Sequence, residues 1–498
     1  MSTKTHSILI TIAALYLAGC SLVATQTGPW RKAGIADPPI DLQKLEQENE
    51  LTGTDPQALR DVSWERFQAS PRDGEFDLGI VELAEDGRFQ DQEQRRLVIE
   101  KVKEKLKDGG TLITFVHGWH HDASPCDENL ACFRRVLGLV SKNLGRANHG
   151  PVVGLYIGWR GQLFKSLDTL SFWDRKRVAH EIGRGDAVEL LLDLHHFYVD
   201  LNARLKKERD SWAVSSRTSP EPGIFSMVTV GHSFGGALVF SAIERSLVRR
   251  TQGHLTVGPA NAKEPKKPIR DRFGSLVILI NPAFEAERYR TFQEDLDADG
   301  RYENQCPSLV TFSSKGDWAN RYAFPIGRTL WMLWHWNRWG NFRNEIRAQG
   351  QESRQITQEL VKLNGSKPKP QAPKASCGCP FSAEIDQVPQ ELGKAPVAAV
   401  TEDEPSRCGR IRALHTAETT QLGDVEIHNL RQPKGDPSSP YLVMKTDSGL
   451  IRGHSQIYGS DFVAFLISYL NRYLDTENAP EATQPETPKL TGGAGGEL

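Results

Sequence analysis

A serine flanked by glycines is the first candidate for chemistry in the sequence. The stretch VTVGHSFGG, residues 228 to 236, places Ser233 between an apolar run and a second run with helical character. A serine nucleophile on a sharp strand-to-helix turn needs small neighbours two positions away on either side, and Gly231 and Gly235 meet that need. The same five letters, GHSFG, are also compatible with an ordinary tight turn, so the flanking strand and helix decide the interpretation.

With its flanking strand and helix, this motif resembles the nucleophile elbow of the α/β-hydrolase superfamily of serine esterases and lipases. The resemblance covers roughly Val62 to Glu345 and Cys408 to Leu474. It implies an α/β fold with a mostly parallel central sheet, helices on both faces, and no cofactor. The apolar run TLITFV leads into His117-Gly118-Trp119, which is similar to the oxyanion loop of that superfamily. By resemblance, the backbone N–H groups of Trp119 and Phe234 would stabilise the oxyanion.

The acid and the base of the expected triad have several candidates. Asp317, in LVTFSSKGDWAN, is favoured as the acid over Glu285 in INPAFEAE, because its loop matches the usual place in the superfamily. His454, before a final amphipathic run, is favoured as the base. The weaker candidates for the base are His428, His335 and His415. The order Ser233, Asp317, His454 is the order of the superfamily, although the interval from the acid to the histidine is unusually long.

Short apolar runs separated by longer amphipathic stretches predict parallel strands that are covered on both faces by helices. The expected strands are Thr111 to Val116, Val152 to Ile157, Met227 to Val230, Leu276 to Ile280 and Leu309 to Phe312. The expected helices are Arg175 to Lys207, as one or two helices, Gly236 to Arg249 and Asp461 to Tyr473. Domain boundaries follow: hydrolase domain 61–345 and 408–475, an exposed and partly disordered insertion 346–407, and a disordered tail 476–498.

The N-terminus reads as an export signal. An apolar run from Ile8 to Ala18 is short for a membrane span, and LAGC at its end resembles the lipobox of bacterial lipoproteins. The resemblance implies cleavage after residue 19, lipidation of Cys20, and a tether over residues 20–60. Since no aspartate follows Cys20, it also implies an outer-membrane location facing the periplasm.

Six further cysteines remain in a compartment where disulfides persist, and the sequence leaves their pairing open. Cys126 and Cys132 could close a small loop, while Cys377 and Cys379 could reach Cys306 and Cys408.

Metal binding has weak support in the sequence. His117, His120, His121 and Asp122 share one loop whose first residue already has an expected role, so no metal site is expected there. Asp295, Asp297 and Asp299 resemble the opening of an EF-hand loop, but Cys306 stands where the bidentate glutamate belongs. A polar turn and a different kind of calcium loop both remain open.

A tryptophan-rich segment, TLWMLWHWNRWGNF, either packs a helix onto the core or forms a cap or interfacial patch. Its aromatic residues are Trp331, Trp334, Trp336, Trp339 and Phe342. Arg328, Arg338 and Arg343 either contact phosphate or anionic headgroups or only solvate a helix face. A net charge of -2 excludes a general nucleic-acid binder. The expected function is hydrolysis of a carboxylic ester or lipid; a non-catalytic lipoprotein scaffold and a phospholipase are the alternatives.

Overall fold

The computed structural model describes residues 28–52, 57–146, 149–162, 168–214, 221–252, 272–290, 306–332, 346–363, 378–389, 392, 409–430 and 440–477. These residues build an α/β architecture around one mixed, mostly parallel sheet. The predicted signal peptide, Cys20 and the predicted tail beyond residue 477 lie outside the described residues. No helix within the described ranges is long and apolar enough to cross a membrane.

The sheet has eleven strands in the described part of the chain. In chain order they are β1 (Trp64–Phe67), β2 (Phe76–Leu83), β3 (Gly110–Val116), β4 (Val152–Trp159), β5 (Phe225–His232), β6 (Leu276–Ile280), β7 (Leu309–Ser314), β8 (Gln358–Lys362), β9 (Thr419–Leu422), β10 (Val425–Asn429) and β11 (Tyr441–Thr446). Their order across the sheet is β1-β2-β4-β3-β5-β6-β7-β11-β8-β10-β9. The five predicted strands are confirmed as β3 to β7, with ends that differ by up to two residues.

The strands from β2 to β8 in that order run parallel to one another, whereas β1 is antiparallel to β2, β10 to β8, and β9 to β10. The carboxyl ends of β3, β5, β6 and β7 therefore lie at one edge of the sheet, which we call the carboxyl edge. The segments that contain Trp119, Ser233, Asn281 and Asp317 begin there. Ligand sites of open parallel sheets occur at this edge.

Eleven helices accompany the described strands. They are α1 (Leu42–Thr52), α2 (Gln57–Arg60), α3 (Gln92–Leu106), α4 (Glu128–Arg146), α5 (Asp168–Ile182), α6 (Asp186–Val214), α7 (Phe234–Gln252), α8 (Phe324–Met332), α9 (Ser382–Ile385), α10 (Gly409–Thr416) and α11 (Ser460–Glu477). The predicted helical regions are confirmed as α5 with α6, α7 and α11. A 3₁₀ turn, Ala286–Tyr289, and a π turn, Ala319–Ala323, complete the described helical segments.

Alternate side chains along each strand enter different cores, as the two-residue period of a strand requires. On β3, Ile113 and Phe115 pack into the core that includes α4 and α11. Leu112 and Val116 pack into the opposite core, with α3, α5, α6 and α7. Burial on both faces explains why the central strands are almost wholly apolar in sequence.

The segment 28–60, predicted as a tether, packs against the sheet. Arg31 is fully buried and its Nη1 donates to Glu65 Oε1 over 2.9 Å, while Arg134 Nη2 donates to the same oxygen over 2.7 Å. The backbone N–H groups of Trp30 and Arg31 donate to the carboxylate of Glu82, each over 2.8 Å. A buried ion cluster thus fixes this segment. The sequence of the segment is polar and has no apolar periodicity that would have indicated this packing.

The described parts of the predicted insertion are also built into the fold, in contrast to the expected exposure. Strand β8 pairs with β11 and β10, and Leu360 on it is fully buried. Residues 378–389 are joined to α4 by the disulfide Cys132–Cys379. The expected pairings of Cys126 with Cys132 and of Cys379 with Cys306 or Cys408 are therefore wrong. Cys126 and Cys306 each form a disulfide as well.

Candidate active site

Ser233 occupies a strained turn between β5 and α7. Its φ of 55° lies in the left-handed region, which non-glycine residues seldom adopt. Its own N–H donates to the carbonyl of Ile280 (3.0 Å), and its carbonyl accepts from the N–H of Ala283 (3.1 Å). A Cβ at Gly235 would lie 2.1 Å from the carbonyl oxygen of Val116, so glycine is required for the turn to pack against β3.

The structure brings Ser233, His454 and Asp317 together. Ser233 Oγ lies 2.6 Å from Nε2 of His454, and Nδ1 of the same ring lies 2.9 Å from Oδ2 of Asp317. Within this chain of hydrogen bonds, an imidazole whose Nδ1–H donates to the carboxylate leaves Nε2 as an acceptor for the serine hydroxyl. The arrangement can therefore remove the proton from Ser233 as its oxygen attacks a carbon atom.

Asp317 is held as a carboxylate. Burial opposes its ionisation, but the charge of His454, the hydrogen bond to that ring and the N–H of Asn320 (2.9 Å to Oδ1) outweigh burial, so the pKa of Asp317 lies below its usual value. The side chain itself is completely buried. A buried carboxylate on Nδ1 stabilises the imidazolium that forms when Nε2 takes a proton.

The backbone of His454 is fixed by two side chains from the neighbouring strand ends. Its carbonyl oxygen accepts from Nδ2 of Asn281 (3.0 Å) and from Nε2 of His232 (2.9 Å). Asn281 Oδ1 in turn accepts from the N–H of Ser314 (2.9 Å). One amide therefore joins the end of β6, the end of β7 and the histidine loop. Asn281 has a φ of 44°, a region where asparagine is more frequent than other non-glycine residues.

His232 contributes as a neutral hydrogen-bond donor. Burial, followed by the nearby charge of His454, lowers the pKa of His232 to about 3. Because its Nε2 faces a carbonyl oxygen, this nitrogen carries the proton of the neutral ring. A neutral ring at this position adds no repulsion when His454 becomes charged.

The predicted oxyanion loop follows β3 and lies beside the serine. A Cβ at Gly118 would lie 2.7 Å from Cβ of Ser233, so only glycine permits this approach. Within the described residues, neither the backbone N–H of Trp119 nor that of Phe234 donates to a protein acceptor. Two uncommitted N–H groups beside a nucleophile are suited to a developing negative charge on oxygen.

His117 holds the base of this loop. The N–H of Trp159 donates to Nε2 of His117 (3.0 Å), so Nδ1 carries the proton and donates to the carbonyl of Gly118 (2.9 Å). Burial lowers the pKa of His117 to about 4, which keeps the ring neutral. His117 is therefore a structural support for the loop and does not contact Ser233.

The surroundings of the oxyanion loop are aromatic. The ring of Phe172, on α5, lies 5.2 Å from that of Trp119 and 4.9 Å from that of Phe234. The ring of Trp173 lies 5.8 Å from that of Phe324 on α8, in a tilted arrangement. Ser233 itself is buried, and His454 is the partly exposed member of the three. An apolar group of a substrate would find apolar neighbours here.

Glu285, the rival acid, does not contact His454. Its Oε1 accepts from Nζ of Lys176 (2.5 Å) and lies 3.2 Å from Nη1 of Arg328. Burial opposes its ionisation, but these two cations outweigh burial and lower the pKa of Glu285 to about 2. The ion cluster joins α5 and α8 to the segment after β6. Arg328 is thus buried against a carboxylate, which differs from its expected contact with phosphate.

The remaining candidates lie away from the serine or outside the described residues. His428, on β10, pairs with Glu426, and His415 is buried against Gln358 and Tyr469. No group of three or more metal-ligating side chains occurs in the described ranges. His335, the three aspartates of the proposed calcium loop and most of the tryptophan-rich segment, from Trp334 to Phe342 with Arg338 and Arg343, lie outside the described residues; of Trp331 only the backbone, in α8, is described.

Comparison of the chain with protein-family models gave no match, and neither did comparison with curated proteins or with solved structures.

Asn281 and His232 are the functional residues that the sequence reasoning missed. A weak signal was available for Asn281, because a polar residue before Pro282 ends the apolar strand LVILI at the carboxyl edge. His232 stands inside the motif itself, but its contact with His454 spans 222 positions. Nothing local in the sequence indicates that contact.

Replacing Asn281 with glycine tests the support of His454 separately from backbone strain. Glycine retains the positive φ but removes the donations of Nδ2 to the carbonyl oxygens of Gly453 (3.2 Å) and His454 (3.0 Å), and the acceptor for Ser314. We expect reaction of Ser233 with a fluorophosphonate probe to slow by about tenfold or more, the usual loss for one or two hydrogen bonds that orient a reacting group. Unchanged labelling kinetics in Asn281→Gly would refute the support, and Asn429→Gly, on β10, is a control that should react normally.

Glu285→Gln is expected to destabilise the fold in a pH-dependent way. A carboxyl group whose pKa is lower in the folded state than in the unfolded state stabilises the fold above pH 4.5, the unfolded pKa. This stabilisation is lost as the pH falls toward 2. The lower pKa of Glu285 corresponds to about 3 kcal/mol in the free energy of unfolding at pH 7. Urea unfolding should therefore find a large deficit at pH 7 that shrinks by pH 3.

An equal deficit at both pH values would contradict this role for Glu285. Glu181→Gln is the matched control, because Glu181 pairs with Arg177 on the exposed surface of α5. Loss of this exposed ion pair should change the free energy of unfolding by less than about 1 kcal/mol.

Proposed function

We propose that the protein is a serine hydrolase of the α/β-hydrolase type that cleaves carboxylic esters through an acyl-enzyme. The observation that carries this proposal is the pair of hydrogen bonds from Ser233 to His454 (2.6 Å) and from His454 to Asp317 (2.9 Å). The three residues occur in the chain order of that fold. The serine follows a parallel strand and opens a helix, and the oxyanion loop follows β3, as a nucleophile elbow requires.

The reaction begins with attack of Ser233 Oγ on the ester carbonyl carbon while Nε2 of His454 accepts the hydroxyl proton. The carbonyl oxygen becomes an oxyanion that accepts from the N–H groups of Phe234 and Trp119. Collapse of the tetrahedral intermediate breaks the bond to the alcohol, which leaves with the proton from His454. The products of this half-reaction are a free alcohol and an ester of Ser233.

The second half-reaction returns the serine to its starting state. His454 accepts a proton from water as the water oxygen attacks the acyl-enzyme, and the same two N–H groups stabilise the oxyanion. The proton then returns to Ser233 Oγ and the carboxylic acid leaves. Every proton passes through one nitrogen, Nε2, so the reaction needs no cofactor.

The aromatic side chains around Trp119 and Phe234 favour an apolar acyl or alcohol group. We therefore propose an ester or lipid substrate, and a phospholipid is one member of that class. The LAGC sequence supports export and a lipid anchor at Cys20, on the periplasmic face of an outer membrane. The disulfide between Cys132 and Cys379 supports an oxidising compartment.

Hydrolysis of p-nitrophenyl esters of short and long acyl chains tests the proposal. In the full chain, Ser233→Ala and His454→Ala should lower kcat by at least about a thousandfold, because the nucleophile and the base act as one unit. Asp317→Asn should cause a similar loss by changing the tautomer of His454. His428→Ala is the matched histidine control and should retain full turnover.

Turnover that survives in Ser233→Ala would exclude this mechanism. A wild-type chain that neither reacts with a fluorophosphonate nor hydrolyses an ester would favour the non-catalytic scaffold instead.

A further inference from the structure

An exposed apolar strip begins at the residue that follows the acid. Trp318, Tyr322 and Ile326 are 65%, 47% and 61% exposed, and they belong to a small set of large apolar side chains that are exposed in the described chain. We call these three residues the apolar strip. Isolated exposed apolar residues are common on soluble proteins, but three within nine positions on one element form a patch.

Their spacing places them on one side of a continuous helical segment. Trp318 precedes the π turn Ala319–Ala323, and α8 starts directly after that turn, at Phe324. Successive members of the apolar strip are four positions apart, about one helical turn. The opposite side of the same segment is buried, through Asn320, Phe324 and Arg328. The strip therefore faces outward while the segment is anchored behind it.

Within residues 315–328, the exposed charged side chains are basic. Asp317 is buried against His454, and Arg328 is buried against Glu285. Arg321 is exposed between Trp318 and Tyr322, and within the described residues it has no carboxylate partner. Lys315 is also exposed, although it pairs with Glu359. An apolar surface with an uncompensated arginine suits a bilayer that contains anionic headgroups.

The N-terminal segment reaches the protein at the same edge of the sheet. Glu82, which binds the backbone of Trp30 and Arg31, is the penultimate residue of β2 and lies at the carboxyl edge. In the sheet, β2 and β7 are five strand spacings apart, or about 24 Å. Cys20 lies ten positions before Trp30, and a chain of that length can span at most about 35 Å. A lipid anchor at Cys20 would thus hold the carboxyl edge within reach of the bilayer.

We propose that the apolar strip and Arg321 form a face that docks on the surface of a bilayer containing anionic phospholipid. Tryptophan and tyrosine are the residues that prefer the boundary between acyl chains and headgroups. Docking there would direct the carboxyl edge, with Ser233, toward the membrane. The proposal concerns binding and holds whether or not the serine hydrolyses an ester.

Vesicle binding by the full chain carrying Cys20→Ser tests this face without an acyl anchor. The N-terminal apolar run is then a constant background in every variant. The parent should co-float with vesicles that contain phosphatidylglycerol. A triple variant, Trp318→Ser with Tyr322→Ser and Ile326→Ser, should partition at least about tenfold less. Val199→Ser, which removes a half-exposed valine from α6, is the matched control and should bind as the parent does.

Arg321→Glu separates the charge from the apolar strip and, being at an exposed position, should leave the fold intact. It should weaken binding to phosphatidylglycerol vesicles by about fivefold or more and leave binding to phosphatidylcholine vesicles unchanged. Hydrogen exchange should also slow at the backbone amides of residues 318–328 when anionic vesicles are added.

Three results would overturn the proposal: absence of vesicle binding by the parent, equal binding by the triple variant, or binding without slower exchange at residues 318–328. Each of these readouts is independent of turnover, so failure of the membrane face and failure of the proposed hydrolysis are distinguishable.

Discussion

The left-handed turn at Ser233 is the constraint on which the rest of the site depends. A φ of 55° at a non-glycine residue is costly, and it persists because the turn is bonded to β6 on one side and packed against β3 on the other. The same turn places Oγ 2.6 Å from Nε2 of His454 and starts α7, whose first N–H has no protein acceptor in the described structure. One turn therefore accounts for the backbone strain at Ser233, for the contact of its hydroxyl with His454, and for the N–H of Phe234 that has no acceptor in the described structure.

His454 comes from a loop 137 positions beyond the acid, and its placement needs support that covers this separation. Asn281 and His232 provide it by donating to the same carbonyl oxygen. His232 ends β5 and Asn281 follows β6. The position of His454 is therefore set by the central sheet and not by its own loop. A long interval between acid and base can therefore be tolerated without loss of geometry.

Local patterns were enough to predict the α/β class, strands β3 to β7 and the turn at Ser233, whereas Asp317 and His454 were chosen by resemblance to the α/β-hydrolase superfamily. The strand, turn and helix around Ser233 are contiguous, and the order of acid and histidine follows from the chain. Packing across long separations was not predictable. Glu65 joins Arg31 and Arg134, and Cys132 joins Cys379, through contacts that no local period encodes. Strand β8, QELVK, was missed because only Leu360 and Val361 of its five residues are apolar.

A crystal structure of the full chain after reaction with a phosphonate ester would test the central claim most directly, because the phosphonyl group reproduces the tetrahedral centre of acyl transfer. The account predicts a covalent bond to Ser233 Oγ, with the phosphonyl oxygen about 3 Å from the N–H groups of both Phe234 and Trp119. An unmodified serine, or an adduct whose oxygen points away from these two groups, would contradict it.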